Sequence, residues 1–127
     1  MGTPAIVRNN RVVGTCPSHQ RPAPNGSPTP AGPLPFSAPL RDGLVDSVLI
    51  GGQPAAVEGS TGTNAQVHGG LHASDSYAVS SRQIGTVESG SRTVLIDGKP
   101  AATLSSRASL CSTPGSMADG VRSVLIG

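Results

Sequence analysis

Tryptophan is absent from this 127-residue chain, which carries a single phenylalanine (Phe36) and a single tyrosine (Tyr77). A core resting on aromatic bulk is therefore excluded. Charge is scarce as well, at 13% of residues, about half the share of an ordinary globular protein. The nine Lys and Arg and seven Asp and Glu are scattered singly, with no aromatics among the bases. That pattern excludes the basic, stacking surface that nucleic acid requires. No stretch reaches the ~20 apolar residues of a membrane-spanning helix. The opening MGTPAIVRNN lacks the apolar run and small-residue cleavage site of a secretory leader. The expectation is a protein made in the cytoplasm and carried or ejected from there.

Glycine and proline are plentiful, at 17 and 12 residues. Such a composition approaches that of low-complexity chains, but the net charge is only +2 and tight aliphatic clusters recur. The chain is read as one folded domain over 1–127 with a thin core. A core of that kind needs help from a metal, a disulfide or a partner.

The clusters repeat. SVLIGGQPAAVEGS at 47–60 aligns with RTVLIDGKPAATLSS at 92–106, a third SVLIG closes the chain at 123–127, and TPAIVRNN at 3–10 supplies the missing second half. The units are bounded at about 3–52, 53–98 and 99–127. Each Val-Leu-Ile run is β-prone. Gly51-Gly52 and Asp97-Gly98 suit the positive φ angles of a tight hairpin turn, and the proline after each turn belongs at a strand start or edge. A solenoid would keep its period, whereas these units are unequal and begin and end mid-unit. They predict an all-β, pseudo-threefold object of three hairpin-type repeats, with the last strand closing against the first. The proline-rich stretch 20–40 reads as an extended loop without ladder pairing, and 73–84 as room for a single helical turn.

Every histidine and cysteine falls at a comparable place in its repeat. Cys16 lies 12 residues past Pro4, with His19 beside it; His68 lies 14 past Pro54, with His72 beside it; Cys111 lies 11 past Pro100. In a threefold object these places converge, and imidazoles with thiolate suit a closed, structural zinc site. A Cys16–Cys111 disulfide is the competing use of the two cysteines, and the missing secretory leader argues against it.

The residues SGSRTVLIDGKPAA at 89–102, the repeated Pro-Ala-Ala, the Cys16-x-x-His19 pair and the single cysteine of the last repeat resemble the PAAR (proline-alanine-alanine-arginine) family. The likeness spans Pro4 to Gly127, although Val7, Val57 and Thr103 stand near where that name places arginine. The resemblance implies a small pointed cone, stapled by one zinc near its apex through three histidines and one cysteine. Carried over, the ligands are His19, His68, His72 and Cys111, with Cys16 as the alternative and zinc preferred to iron.

The resemblance also implies a function. The cone would cap a trimeric β-helical (VgrG-like) spike, one tip per trimer, and help it pierce a target membrane, with effector cargo as a further partner. Type VI secretion systems, extracellular injection particles and phage tails all use such tips. The expectation is a tip domain without an effector extension. The spike-facing residues would be the aliphatic runs Val48, Leu49, Ile50; Val94, Leu95, Ile96; and Val124, Leu125, Ile126. A zinc-dependent enzyme is the main rival, but it would need an open ligand position and an acidic base, and only Glu58 and Asp75 lie near the clusters. A surface β-repeat fragment is the other, and it would predict a longer array.

Overall fold

The computed structural model describes residues 2–127. Its strands are β1 (Thr3–Ala5), β2 (Arg11–Cys16), β3 (Gln20–Pro22), β4 (Pro28–Pro30), β5 (Leu34–Pro39), β6 (Val45–Ile50) and β7 (Gln53–Ala55). They continue with β8 (Thr61–Thr63), β9 (Ile84–Val87), β10 (Leu95–Ile96), β11 (Lys99–Pro100), β12 (Arg107–Leu110), β13 (Thr113–Met117) and β14 (Val121–Ile126). The fold is all-β. Among the described residues the helical content is one 3-10 turn, Ser80–Arg82, and no helix is long and apolar enough to cross a membrane.

The threefold plan is visible in the hydrogen bonds. The Ile6 N–H donates to the Ala102 carbonyl (3.1 Å), Ala102 N–H to Ala56 (3.0 Å), and Ala56 N–H to Ile6 (2.9 Å). A second ring runs in the opposite sense: Arg8 N–H to Pro54 O, Glu58 N–H to Pro100 O and Leu104 N–H to Pro4 O. Three backbones meet closely here, and Ala5, Ala55 and Ala101, together with Ala56 and Ala102, are fully or almost fully buried. The small side chains are what allow the approach. After each crossing the chain makes the same turn, capped by Asn10, Ser60 or Ser106, whose side-chain oxygens accept from the N–H of Val7, Val57 or Thr103.

On one side of this ring lie three short β-ladders. β6 pairs with β7, β10 with β11, and β14 closes on β1, as the truncated repeats predict. Their registers correspond: Leu49 opposes Pro54, Leu95 opposes Pro100, and Leu125 opposes Pro4. The turns use positive φ at Gly51, Gly52, Asp97 and Gly98, as a primed turn requires. Ile50, Ile96 and Ile126 point inward and pack with Val45, Val7, Val57 and the ring alanines.

On the other side lie three longer hairpins, β2–β5, β8–β9 and β12–β13, in one sheet of order β5-β2-β13-β12-β9-β8. The sheet nearly closes into a barrel, because Arg41 and Asp42 N–H donate to the Thr61 carbonyl and Thr61 N–H to Asp42. Gly62 permits that closure, since a Cβ there would overlap the Pro39 carbonyl. The interior is filled by Ile6, Val12, Phe36, Ala38, Leu40, Val87, Leu110 and Met117.

One expectation is corrected here. The proline-rich segment is not free of ladder pairing: β3 pairs with β4, and β5 pairs with β2 over six residues from Leu34 to Pro39. The prolines fall on alternate positions. Leu40 N–H bonds toward β2's side at Asn10 O, whereas Ser37 N–H bonds away from β2, to Asn64. By the two-residue period of a strand, Pro35 and Pro39 share Ser37's direction, so the donor that proline lacks is never required by β2.

Candidate metal centre

The three barrel hairpins carry unequal loops: 17–33, 64–83 and 111–112. All three open at the barrel end away from the β-ladders. From these loops and the last residue of β2 come the sulfurs of Cys111 and Cys16 and the imidazoles of His19 and His68, four buried groups whose donor atoms all lie within 4.8 Å of one another. Tetrahedral zinc with ordinary bond lengths would hold such atoms ~3.3–3.8 Å apart, so a small contraction suffices.

Each imidazole has one nitrogen occupied and one free. His19 Nδ1 lies 2.9 Å from Asp75 Oδ2, and His68 Nε2 lies 2.9 Å from the Pro35 carbonyl. Burial alone pushes the Asp75 carboxyl up, but hydrogen bonds from the Tyr77 N–H, the His19 ring and the Gln20 N–H outweigh it, and its pKa is lowered. The carboxylate and the carbonyl can only accept, so His19 Nδ1–H and His68 Nε2–H donate. That leaves His19 Nε2 and His68 Nδ1 with free lone pairs, and both atoms are buried without a partner. Unpartnered buried polar atoms are uncommon and call for an explanation. Two here, beside two sulfurs, fit the first coordination sphere of a soft or borderline cation, with Asp75 and Pro35 in the outer-shell role that fixes tautomer and ring orientation.

The thiols agree. Burial pushes both up; for Cys111, which reaches about 12, the neighbouring Cys16 sulfur and then Asp75 add to the effect. Two such thiols stay protonated by themselves. A divalent cation inverts that preference. Cys111 also sits in an unusual backbone: it and Ser112 form the two-residue β12–β13 turn with φ of 53° and 59°, positions usually given to Asn-Gly. The turn aims the Cys111 sulfur into the group.

His72 lies apart. Its Nδ1 accepts from the Ser74 N–H (3.0 Å) and its Nε2–H donates to the Gly26 carbonyl (2.9 Å), so neither nitrogen is free. Gly70, at φ 67°, turns the chain between the two histidines, and His72 ties the 64–83 loop to the 17–33 loop instead. The structure thus brings Cys16 into the group where the family carry-over placed His72. Of the nine aliphatic residues expected at the spike, Leu49, Leu95 and Leu125 are 62%, 61% and 58% exposed and Val48 is 37% exposed, while the three isoleucines are buried.

Sequence reading flagged Asp75 only as a potential base. It missed the Pro35 carbonyl and a buried amide pair, Asn64 and Gln83, that braces the 64–83 loop. No short motif marks either.

Residues 79–127, from the end of that loop through β14, match the PAAR motif family. No curated protein and no solved structure matches the chain.

Proposed function

We propose that this chain, a PAAR-repeat protein, is the metal-stapled tip of the spike of a contractile injection apparatus, and that its role is mechanical rather than catalytic. The observation that carries the reading is the exposed leucine repeated three times at one end: Leu49, Leu95 and Leu125, each opposite the proline of its own ladder. An apolar group exposed once is ordinary; three in matching register form a surface suited to a partner with true threefold symmetry. Val48, Val94, Val124 and the buried Ile50, Ile96 and Ile126 stand behind these leucines. The partner is a trimeric β-helical spike, one tip per trimer, met by apolar contact and strand addition at the ladder edges.

Cys16, His19, His68 and Cys111 would hold the metal, and two sulfurs with two imidazoles favour zinc over iron. The ion would supply stiffness, tying all three repeats together at the end that meets the target membrane. Four protein donors leave no open position for a substrate, which favours a structural over a catalytic site. The protein would be made in the cytoplasm, mounted on the spike and ejected with it; a type VI system, an extracellular particle or a phage-like tail would each accommodate it.

The test is reconstitution with a trimeric β-helical spike protein of a contractile injection apparatus from the same source, read by native mass. The reading expects one chain per trimer, lost in Leu49→Asp or Leu125→Asp. A well-folded chain that ignores the trimer, or binds along its side, would sink it.

A further inference from the structure

We propose that Gln83 is the positioning residue of the metal centre, holding both imidazoles in their binding orientation through one fully used side-chain amide. The inference rests on the metal reading of Cys16, His19, His68 and Cys111.

Gln83 is 0% exposed, and a buried amide must satisfy two acceptor and two donor sites. All four are used. Its Oε1 accepts from the His68 N–H (2.9 Å) and from Asn64 Nδ2 (3.1 Å). Its Nε2 donates to the His68 carbonyl (3.1 Å) and to the Tyr77 carbonyl (3.0 Å). Gln83 therefore grips His68 by both backbone groups, as a neighbouring strand would, in a loop that has no strand there. With the Pro35 carbonyl holding the ring, His68 is constrained at both its backbone and its far nitrogen.

The fourth bond reaches the other imidazole. Tyr77 N–H donates to Asp75 Oδ1, and Asp75 Oδ2 accepts from His19 Nδ1–H. Holding the Tyr77 backbone holds the Asp75 turn, and with it the orientation of His19. Asn64 anchors the arrangement to the barrel, since its Oδ1 accepts from the Ser37 N–H on β5. A single side chain thus spans the supports of two of the four donors. Outer-shell groups of this kind alter metal affinity without touching the ion.

The test uses the full chain titrated with cobalt(II) and zinc(II) ions. Gln83→Leu removes all four hydrogen bonds, and Gln83→Glu keeps the acceptors but loses the donors. Ser60→Ala serves as the control for a buried polar loss near the ring, since Ser60 bridges the Val57 N–H and the Gly43 carbonyl. The Gln83 variants should bind cobalt and zinc about 10–100-fold more weakly and change the visible cobalt bands, while Ser60→Ala lowers Tm but keeps affinity within about twofold. Gln83 variants with wild-type affinity and spectrum would overturn the proposal. Should neither variant fold, the wild-type chain still decides: the Gln83 side-chain amide and His68 N–H resonances shift on adding zinc, and unmoved signals overturn it. A wild-type chain that binds neither ion would instead fail the metal reading itself, and the Gln83 proposal with it.

Discussion

The two ends of the molecule obey different rules. At the ladder end the three repeats are near copies: the same register of Leu against Pro, the same inward isoleucine, the same ring of backbone bonds. At the loop end the symmetry is gone, with connections at 17–33, 64–83 and 111–112 and donors drawn unequally: two from the first repeat, one each from the second and third. Under the proposed function, a threefold partner would demand equivalence at the ladder end. A four-coordinate ion could not be served equally by three repeats, which would account for the asymmetry of the loop end. The barrel core lies between them, in one buried cluster that runs from the ring alanines Ala56 and Ala102 to Cys16 and Cys111.

The largest effect should come from breaking the loop end. Cys111→Ser, Cys16→Ser or His68→Ala, or exhaustive chelation, removes a staple shared by all three repeats. Structural zinc is worth on the order of 10 kcal/mol in small domains, so each change should cost several kcal/mol, roughly 10 °C or more in Tm for a domain of this size. Calorimetry checks this, and a melting curve indifferent to chelation would remove the staple. Next is the ring. Ala102→Leu adds volume where three backbones converge and should cost ~1–3 kcal/mol by overpacking, with zinc affinity unchanged. A loss of affinity there would mean that the two ends are coupled.

His72→Ala sharpens the distinction between a ligand and a tether. It removes hydrogen bonds to Ser74 and Gly26, so denaturant unfolding should show a loss of only about 1 kcal/mol and metal content should be unchanged. Leu95→Asp is expected to do less still to stability, within about 0.5 kcal/mol for an exposed site, while abolishing capping. That separation of stability from binding marks an interface.

A separate test concerns pH. In the metal-free chain Cys111 keeps its proton up to about 12, whereas an unfolded cysteine ionises near ~8.5. The fold then binds more protons than the unfolded chain between those values, so its stability should fall as pH rises through that window. With metal bound the thiolates are already formed and that slope should vanish, and stability should instead decline toward acid as protons compete for sulfur. Denaturant midpoints with and without zinc, across pH, test the reversal.

How much of this could be read from the sequence follows the same division. The ladder end was legible because repetition is information: VLIGGQPAA beside VLIDGKPAA names strand, turn and strand, and the fragments at 3–10 and 123–127 foretell the closure of β14 on β1. The loop end was only partly legible. Spacing gathers every histidine and cysteine to one place but cannot tell a free lone pair from an occupied one. His72 and Cys16 are separated by what else they touch, namely Gly26 and Ser74 for one and the barrel interior for the other. Gln83 is silent in sequence because its role depends on the 64–83 loop folding back on itself. The proline-rich strand β5 was obscured by composition, since a proline count says nothing about which side of a strand each proline faces.

The most direct test of the central arrangement is X-ray absorption at the metal edge of the purified, metal-loaded chain. Convergence of Cys16, His19, His68 and Cys111 predicts two sulfurs at ~2.3 Å and two nitrogens at ~2.0–2.1 Å. One sulfur with three nitrogens would return His72 to the site and expel Cys16, and no stoichiometric metal would contradict the staple altogether.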